Sequence, residues 1–294
     1  MGVRGVWTLF RHLFKGIDPL TLDENARLKI GIDLFSLAYS HRSCLDALLE
    51  LLKSWSLDGG HQLVCVWDGV APKEKQTIIG ERRSIRDSAT DKKKDLEVYL
   101  EEYGGQLNEV DIKHLKTAIT SLSWQGWHMT NKLKKDIQER LGADVKHVFA
   151  EGEADDILLE MAFNKEVDVI LTLDSDMFVM GAPRIWRLLK VRGEWLVEDI
   201  SVEAVCNDWG VSLSVLQDAA FLAGWDRCHT DGKAEKDKFM EFETALARVK
   251  HYGSWKMVLE KVSNIENDTV FKEKEDCLVK LKRESREKWL KLIK

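Results

Sequence analysis

Four short apolar segments of this 294-residue chain each run into carboxylates. Lys29 to Asp33 (KIGID) ends on Asp33, and Leu63 to Asp68 (LVCVWD) ends on Asp68. Asp144 to Ala150 (DVKHVFA) is followed by Glu151 and Glu153, and Val167 to Asp174 (VDVILTLD) by the Asp174/Asp176 pair. One Asp after a strand is ordinary, because Asp favours turns and helix N-caps. Four such ends together are harder to explain by local preference, since parallel strands end along one edge, where open α/β folds bind ligands. Acids gathered there repel one another unless a cation offsets them. An all-oxygen donor set without His or Cys suits hard ions, so Mg²⁺, or Mn²⁺ as its substitute, is expected rather than zinc. A pair of such ions bridged by carboxylates is a device for phosphodiester cleavage. Asp155 and Asp156 have a plainer explanation as acids at a helix N-terminus, whereas Glu151 and Glu153 precede the helix and are better placed for a metal.

These side chains need a frame. Each of the four segments is a short β-branched or apolar run bounded by charge or glycine, which predicts buried strands. Between them, Ser36 to Trp55, Lys132 to Leu141 and Glu153 to Asn164 carry apolar residues at three- and four-residue spacing. Strand alternating with helix predicts an α/β fold, a mostly parallel central sheet with helices on both faces. Arg184 to Val191 and Glu194 to Asp199 predict a strand pair, and a helical region follows. Its last helix places Leu278, Leu281, Trp289 and Leu292 on one stripe, as expected of a helix docked on the body. The expected organisation is a core over 1–199, interrupted by a charged stretch at about 73–130 and continuous with a helical region over 200–294.

Composition narrows the classes. With 44% apolar and 32% charged residues and only three prolines, the chain reads as globular, not disordered. No apolar run approaches the roughly 20 residues of a membrane span, and no secretory signal pattern opens the chain, so an intracellular place, nucleus or cytoplasm, is expected. Five scattered cysteines without a CxxC pair argue against a disulfide framework and against structural zinc. A net charge of −6 excludes a uniformly basic nucleic-acid coat protein, so local charge must decide. Residues 73–94 hold eight basic side chains, among them Lys75, Arg82, Arg83, Arg86, Lys92, Lys93 and Lys94, against four acids. Residues 270–294 hold nine against five, and both stretches are candidate phosphate-facing surfaces.

The order of motifs over nearly the first 230 residues resembles the flap endonuclease family of structure-specific 5′ nucleases, which has a PIN-like fold. MGVRGVW resembles its N-terminal signature, with Gly2 as a nucleic-acid contact. IGIDLFSLAY, VWDGVAPKEK, FAEGEADD and LTLDSDMFVMG resemble its four metal-bearing segments, and LAGWDRC its later aspartate motif. The resemblance implies Asp33, Asp68, Glu151, Glu153, Asp174, Asp176 and Asp226 as ligands of two Mg²⁺ ions. It also implies a helical arch at about 73–130 and a DNA-binding role for the region over 200–294, and it gives Lys75 and Arg82 the role of catalytic cations at the base of that arch, where they stabilise charge developing on the scissile phosphate. Arg83, Arg86 and Lys92 to Lys94 then serve general phosphate attraction, and Tyr39 matches an aromatic that stacks on a base beside the cut. A buried Tyr on a helix is the other reading of Tyr39.

Three departures mark a divergent, compact member. The stretch HTDGKAEKDKFMEFETALARV lacks the glycine pair of the helix-hairpin-helix that grips downstream duplex, the interval from Asp33 to Asp68 is short for 3′-flap recognition, and no sliding-clamp peptide is recognisable. The doubled aspartate of EADD is closer to bacterial and phage enzymes. A dehalogenase-type phosphatase is excluded, because Asp33 is followed by Leu34 and Phe35 and not by a second Asp two residues on. A Toprim domain would leave Asp68, Lys75 and Arg82 unexplained. The expectation is a monomeric Mg²⁺-dependent 5′ nuclease acting on DNA with a 5′ flap, nick or free 5′ end, RNA remaining open as substrate. Its rival is a catalytically silent relative that scaffolds RNA or protein.

Overall fold

The β-branched runs build the middle of a sheet. In the computed structural model, which describes residues 3–22, 27–71, 76–225, 228, 239–262 and 274–293, the described strands number seven. They are β1 (Lys15–Ile17), β2 (Lys29–Asp33), β3 (Gln62–Trp67), β4 (Lys146–Phe149), β5 (Val169–Leu171), β6 (Arg184–Val191) and β7 (Glu194–Ser201). Their order across the sheet is β1-β7-β6-β5-β2-β3-β4. The five strands from β6 to β4 are parallel, and β7 pairs antiparallel with β6 and β1. The α/β fold with a mixed, mostly parallel sheet is therefore as the sequence predicts.

Helices cover both faces. They are α1 (Val6–Leu9), α2 (Leu34–Ser40), α3 (Leu45–Leu57), α4 (Gln76–Tyr103), α5 (Glu109–Gln125), α6 (Asn131–Leu141), α7 (Ala154–Phe163), α8 (Asp176–Val179), α9 (Val202–Trp209), α10 (Leu213–Leu222), α11 (Phe242–Tyr252) and α12 (Trp255–Lys261), followed by a C-terminal helix, Glu275–Ile293. Alternation along the strands splits the core in two. Ile30, Ile32, Cys65, Trp67 and Leu171 pack with α2, α3 and α6 on one face. Val64, Val66, Ile170 and Ile185 pack with α7, α10 and α11 on the other. Leu278 of the C-terminal helix is buried in that second core and Leu281 packs on it; the side chains of Trp289 and Leu292 lie outside the described residues.

The structure corrects two local expectations. The predicted helix over Ser36 to Trp55 is two helices, α2 and α3, joined by a turn at Arg42–Cys44. The cause is tertiary. A ring nitrogen of His41 donates to the Leu188 carbonyl of β6 at 3.0 Å, and Arg42 donates to the Tyr39 carbonyl at 2.6 Å, taking an acceptor that a continuous helix would offer to Ser43. The sequence also gave no warning of β1, a three-residue edge strand held by its pairing with β7.

Candidate active site

Register brings the acids together. Asp33 lies opposite Val66 of β3, and the preceding Ile32 lies opposite Leu171 of β5. Thr172 is therefore level with Asp33 on one side, and Asp68 stands two residues beyond that level on the other, at the C-terminal edge of the sheet. Asp33 is 5% exposed and caps α2, one carboxylate oxygen accepting from Ser36 N–H at 3.1 Å and the other from the Thr172 hydroxyl at 2.8 Å. Burial, with the nearby charges of Asp68 and Asp174, raises its carboxyl from 3.8 to about 7. Two hydrogen bonds to the ionised form do not outweigh that desolvation.

The neighbouring acids are held by backbone. Asp68 is exposed, and its Oδ1 accepts from Ala154 N–H at 2.8 Å, so β3 supplies the cap of α7. Glu153, half-buried, occupies the N-cap position without a side-chain cap bond. The turns after β3 and β4 are zipped together: Ala150 N–H donates to Trp67 O at 2.9 Å, Gly69 N–H to Gly152 O at 2.7 Å and Val70 N–H to Glu151 O at 2.9 Å. Gly69 makes this approach possible, because a Cβ there would stand 2.1 Å from the Ala150 carbonyl oxygen. Glu151 turns its side chain to solvent, whereas Asp155 in the first turn of α7 is half-buried.

The third group lies beyond β5. Asp174 N–H donates to the Thr172 hydroxyl at 3.0 Å, and Asp174 Oδ1 accepts from Asp176 N–H at 3.1 Å. Asp174 is half-buried and Asp176, which opens α8, is 3% exposed. The N-terminal segment braces this turn: the Trp7 indole donates to Leu173 O and the Ser175 hydroxyl to Val3 O, both at 3.1 Å. Trp7 is in turn covered by Arg187, whose guanidinium also pairs with Glu198 at 2.9 Å. Thr172, Gly69 and the Val3/Trp7 brace escaped the sequence reading. Only the acid-rich motifs around them could have hinted at their use.

Asp33, Asp68, Glu153, Asp174 and Asp176 thus share one sheet edge, with Glu151 at its exposed margin. Among the described residues, no three His, Cys, Asp or Glu side chains stand close enough to cage an ion as they are. The donor set nonetheless fits a hard divalent cation, because it is all carboxylate and the ionised form of its buried member is destabilised by burial and, less, by its neighbours' charge. Asp226, Lys75 and Gly2 lie outside the described residues.

Further along the chain, α4 and α5 pack on each other as a helical hairpin, and Arg82 is exposed on α4. Its basic residues are interleaved with acids: Arg83 and Arg86 each reach Asp87 at 3.8 Å, and Lys93 reaches Glu97 at 3.4 Å. Lys92 shares its face with Asp87, Asp91 and Asp95, and Lys94 is exposed. Tyr39 is half-buried, stacked on Phe35 at 6.4 Å and edge-on to Trp127 at 5.9 Å, with Arg42 4.6 Å over its ring. Arg42 also donates to Trp124 O at 3.0 Å, tying the end of α5 to α2.

A three-layer α/β body with carboxylates along one strand edge defines the class. Residues 144–226 match the XPG I-region. Over 214 residues the chain is 26% identical to flap endonuclease 1 of Ignicoccus hospitalis, covering 69% of this chain and spanning 56% of that protein's length. Its fold is similar to that of the catalytic core of Rad2 in complex with DNA substrate, with a TM-score of 0.59 at 19% identity, over 100% of this chain and 81% of that one. It is also similar to flap endonuclease-1 from Methanococcus jannaschii, with a TM-score of 0.51 at 20% identity, over 92% and 83% of the two chains. The chain thus carries an XPG I-region and is distantly similar to flap endonuclease 1, on a fold like that of the Rad2 catalytic core.

Proposed function

We propose that this protein is a divalent-metal-dependent 5′ nuclease that hydrolyses DNA phosphodiesters near junctions of single and double strand. The observation that carries the proposal is the convergence of Asp68 and Asp174 on buried Asp33, whose carboxyl is raised to about 7. A fold does not keep such repulsion for stability. Asp33, Asp68, Glu153, Asp174 and Asp176 would hold Mg²⁺, with Glu151 and Asp226 completing the set. Bound ions would supply charge neutralisation and activation of water for in-line attack.

The chain's own residues do the rest. Thr172 orients Asp33 and the Asp174 turn together, and the Gly69 zipper fixes Asp68 against the turn of Glu151 and Glu153. Arg82 and Lys75 reach the phosphate as it gains charge, while Arg83, Arg86 and Lys92 to Lys94 draw the backbone toward the hairpin. Tyr39, fixed by Phe35 and Arg42, offers a ring to the base beside the cut. The relative crystallised with DNA substrate supports DNA as partner. No described helix is long and apolar enough to cross a membrane. The test is incubation of labelled 5′-flap, nicked, blunt, single-stranded and RNA-containing substrates with Mg²⁺, Ca²⁺ or EDTA. Cleavage of flap and nicked DNA only with Mg²⁺ is expected; Mg²⁺-independent cleavage, or none, would overturn the reading.

A further inference from the structure

Phe149 is the last residue of β4 and stands 62% exposed. The sheet gives no folding reason for this. α6 covers the preceding stretch of the same face, where His147 is half-buried and Trp67 is 1% exposed, but it leaves Phe149 open. Because β4 is the edge strand, no further strand among the described residues lies beyond it. An exposed Phe contributes nothing to the core and leaves a large apolar surface in water.

The ring is nevertheless held in place. It lies parallel to Trp67, with centroids 6.2 Å apart and planes 12° from one another. Trp67 is fixed in turn, its indole donating to His147 Nδ1 at 3.1 Å. Lys134 Nζ sits 5.9 Å over the Trp67 ring and brings positive charge to this face. A strand-borne ring backed by a second, immobile ring loses little freedom when a flat group settles on it.

Its position links it to the acids. Trp67, opposite Phe149 in register, is followed directly by Asp68, and Phe149 precedes Glu151 and Glu153 by two and four residues. The zipper from Trp67 O to Gly152 O joins these two strand ends, so the open ring stands at the rim of the carboxylate cluster. We propose that Phe149 is a stacking platform for an unpaired nucleobase of a single strand whose backbone passes the acid cluster. This rests on the nuclease reading of that cluster and adds a subsite to it. The occupant is an unpaired base because a benzyl ring has no donor or acceptor with which to read a base edge. Stacking needs a free π-face, which the interior of a duplex does not offer. The nearby lysine suits a polyanion, and a platform of this kind accepts every base alike.

The test is fluorescence anisotropy of a labelled single-stranded oligonucleotide and of a blunt duplex, with Ca²⁺ in place of Mg²⁺. The full chain is compared with Phe149→Ala, Phe149→Leu and Phe149→Trp, each checked for an unchanged melting temperature. Alanine and leucine are expected to weaken single-strand binding by about tenfold, tryptophan to restore it, and duplex binding to stay within about twofold. Single-strand binding by the natural chain that is indifferent to Phe149→Ala would overturn the platform and leave the nuclease reading intact. Equal losses for single strand and duplex, or leucine binding as well as tryptophan, would overturn it too. So would dissociation of a dimer by Phe149→Ala, since the ring would then face a second copy. Failure of the natural chain to bind any nucleic acid would remove the nuclease reading itself, and the platform with it.

Discussion

Gly69→Ala probes the joint on which the acid site depends. An alanine Cβ at this position would lie 2.1 Å from the Ala150 carbonyl oxygen and 2.6 Å from that of Glu151. Both obstacles are backbone, so no side chain can swing aside, and the two turns must part by about 1 Å to reach an ordinary contact. Parting weakens the 2.7 Å bond from Gly69 N–H to Gly152 O and the 2.9 Å bond from Val70 N–H to Glu151 O. At about 1 kcal/mol each the loss is roughly 2 kcal/mol, or about 3 °C in melting temperature for a chain of this size. The chemical cost should be larger, because Asp68 and Glu153 ride on opposite sides of the joint. A misplacement of ~1 Å in an active constellation costs on the order of a hundredfold. Gly152→Ala is the control on the same contact, since nothing stands within 4 Å of the Cβ it would add. Single-turnover cleavage of a labelled 5′-flap substrate and thermal melting with and without Mg²⁺ read both effects. Gly69→Ala should cleave about a hundredfold more slowly and show a smaller Mg²⁺-induced rise in melting temperature, with Gly152→Ala close to the natural chain. A natural rate in Gly69→Ala, or an equal loss in Gly152→Ala, would refute the reasoning.

The Asp174→Asn/Asp176→Asn double variant should lose cleavage by at least ~100-fold while keeping its fold and much of its substrate binding; natural turnover would sink the metal reading. Lys75→Ala and Arg82→Ala should lower the single-turnover rate far more than affinity, whereas neutralising Lys92 to Lys94 should weaken binding and flatten its salt dependence. If every change acted on affinity alone, the hairpin would be only an electrostatic surface. Asp33 makes a pH-dependent contribution with a defined sign: a carboxyl raised from 3.8 to about 7 favours the fold when protonated, so that stability is present below pH 3.8 and lost as the pH rises through 7. In EDTA the natural chain should therefore lose stability relative to Asp33→Asn between pH 5 and 8, and Mg²⁺ should narrow the gap; parallel melting curves across that range would contradict it.

Much of the frame was legible in the sequence because it depends on local pattern. β-Branched runs bounded by charge fold as β2 to β5, and the strand pair after Asp174 forms β6 and β7. The three-residue period places α6 and α7 within a residue or two of expectation. Carboxylates at strand ends could be read as one group because parallel strands all end on the same edge. The resemblance of motifs supplied the family, but no local signal told which acid would be drawn inward.

The tertiary structure decided what depends on residues far apart in the chain. Asp33 is destabilised as a carboxylate because the fold buries it and brings Asp68 and Asp174 near it from two other strand ends, against which the Thr172 hydrogen bond is too weak. The break between α2 and α3 follows from His41 reaching β6 and Arg42 reaching α5, partners 147 and 82 residues away. Glu151 and Asp155 look alike in an acidic run, and their exposures differ because β3 zips onto the backbone of the turn before α7. Phe149 reads as one more buried strand residue, and it is open because β4 is the sheet's edge and α6 leaves its end uncovered. Propensity and spacing are properties of neighbours along the chain, whereas burial, charge environment and close backbone approach are set by neighbours in space.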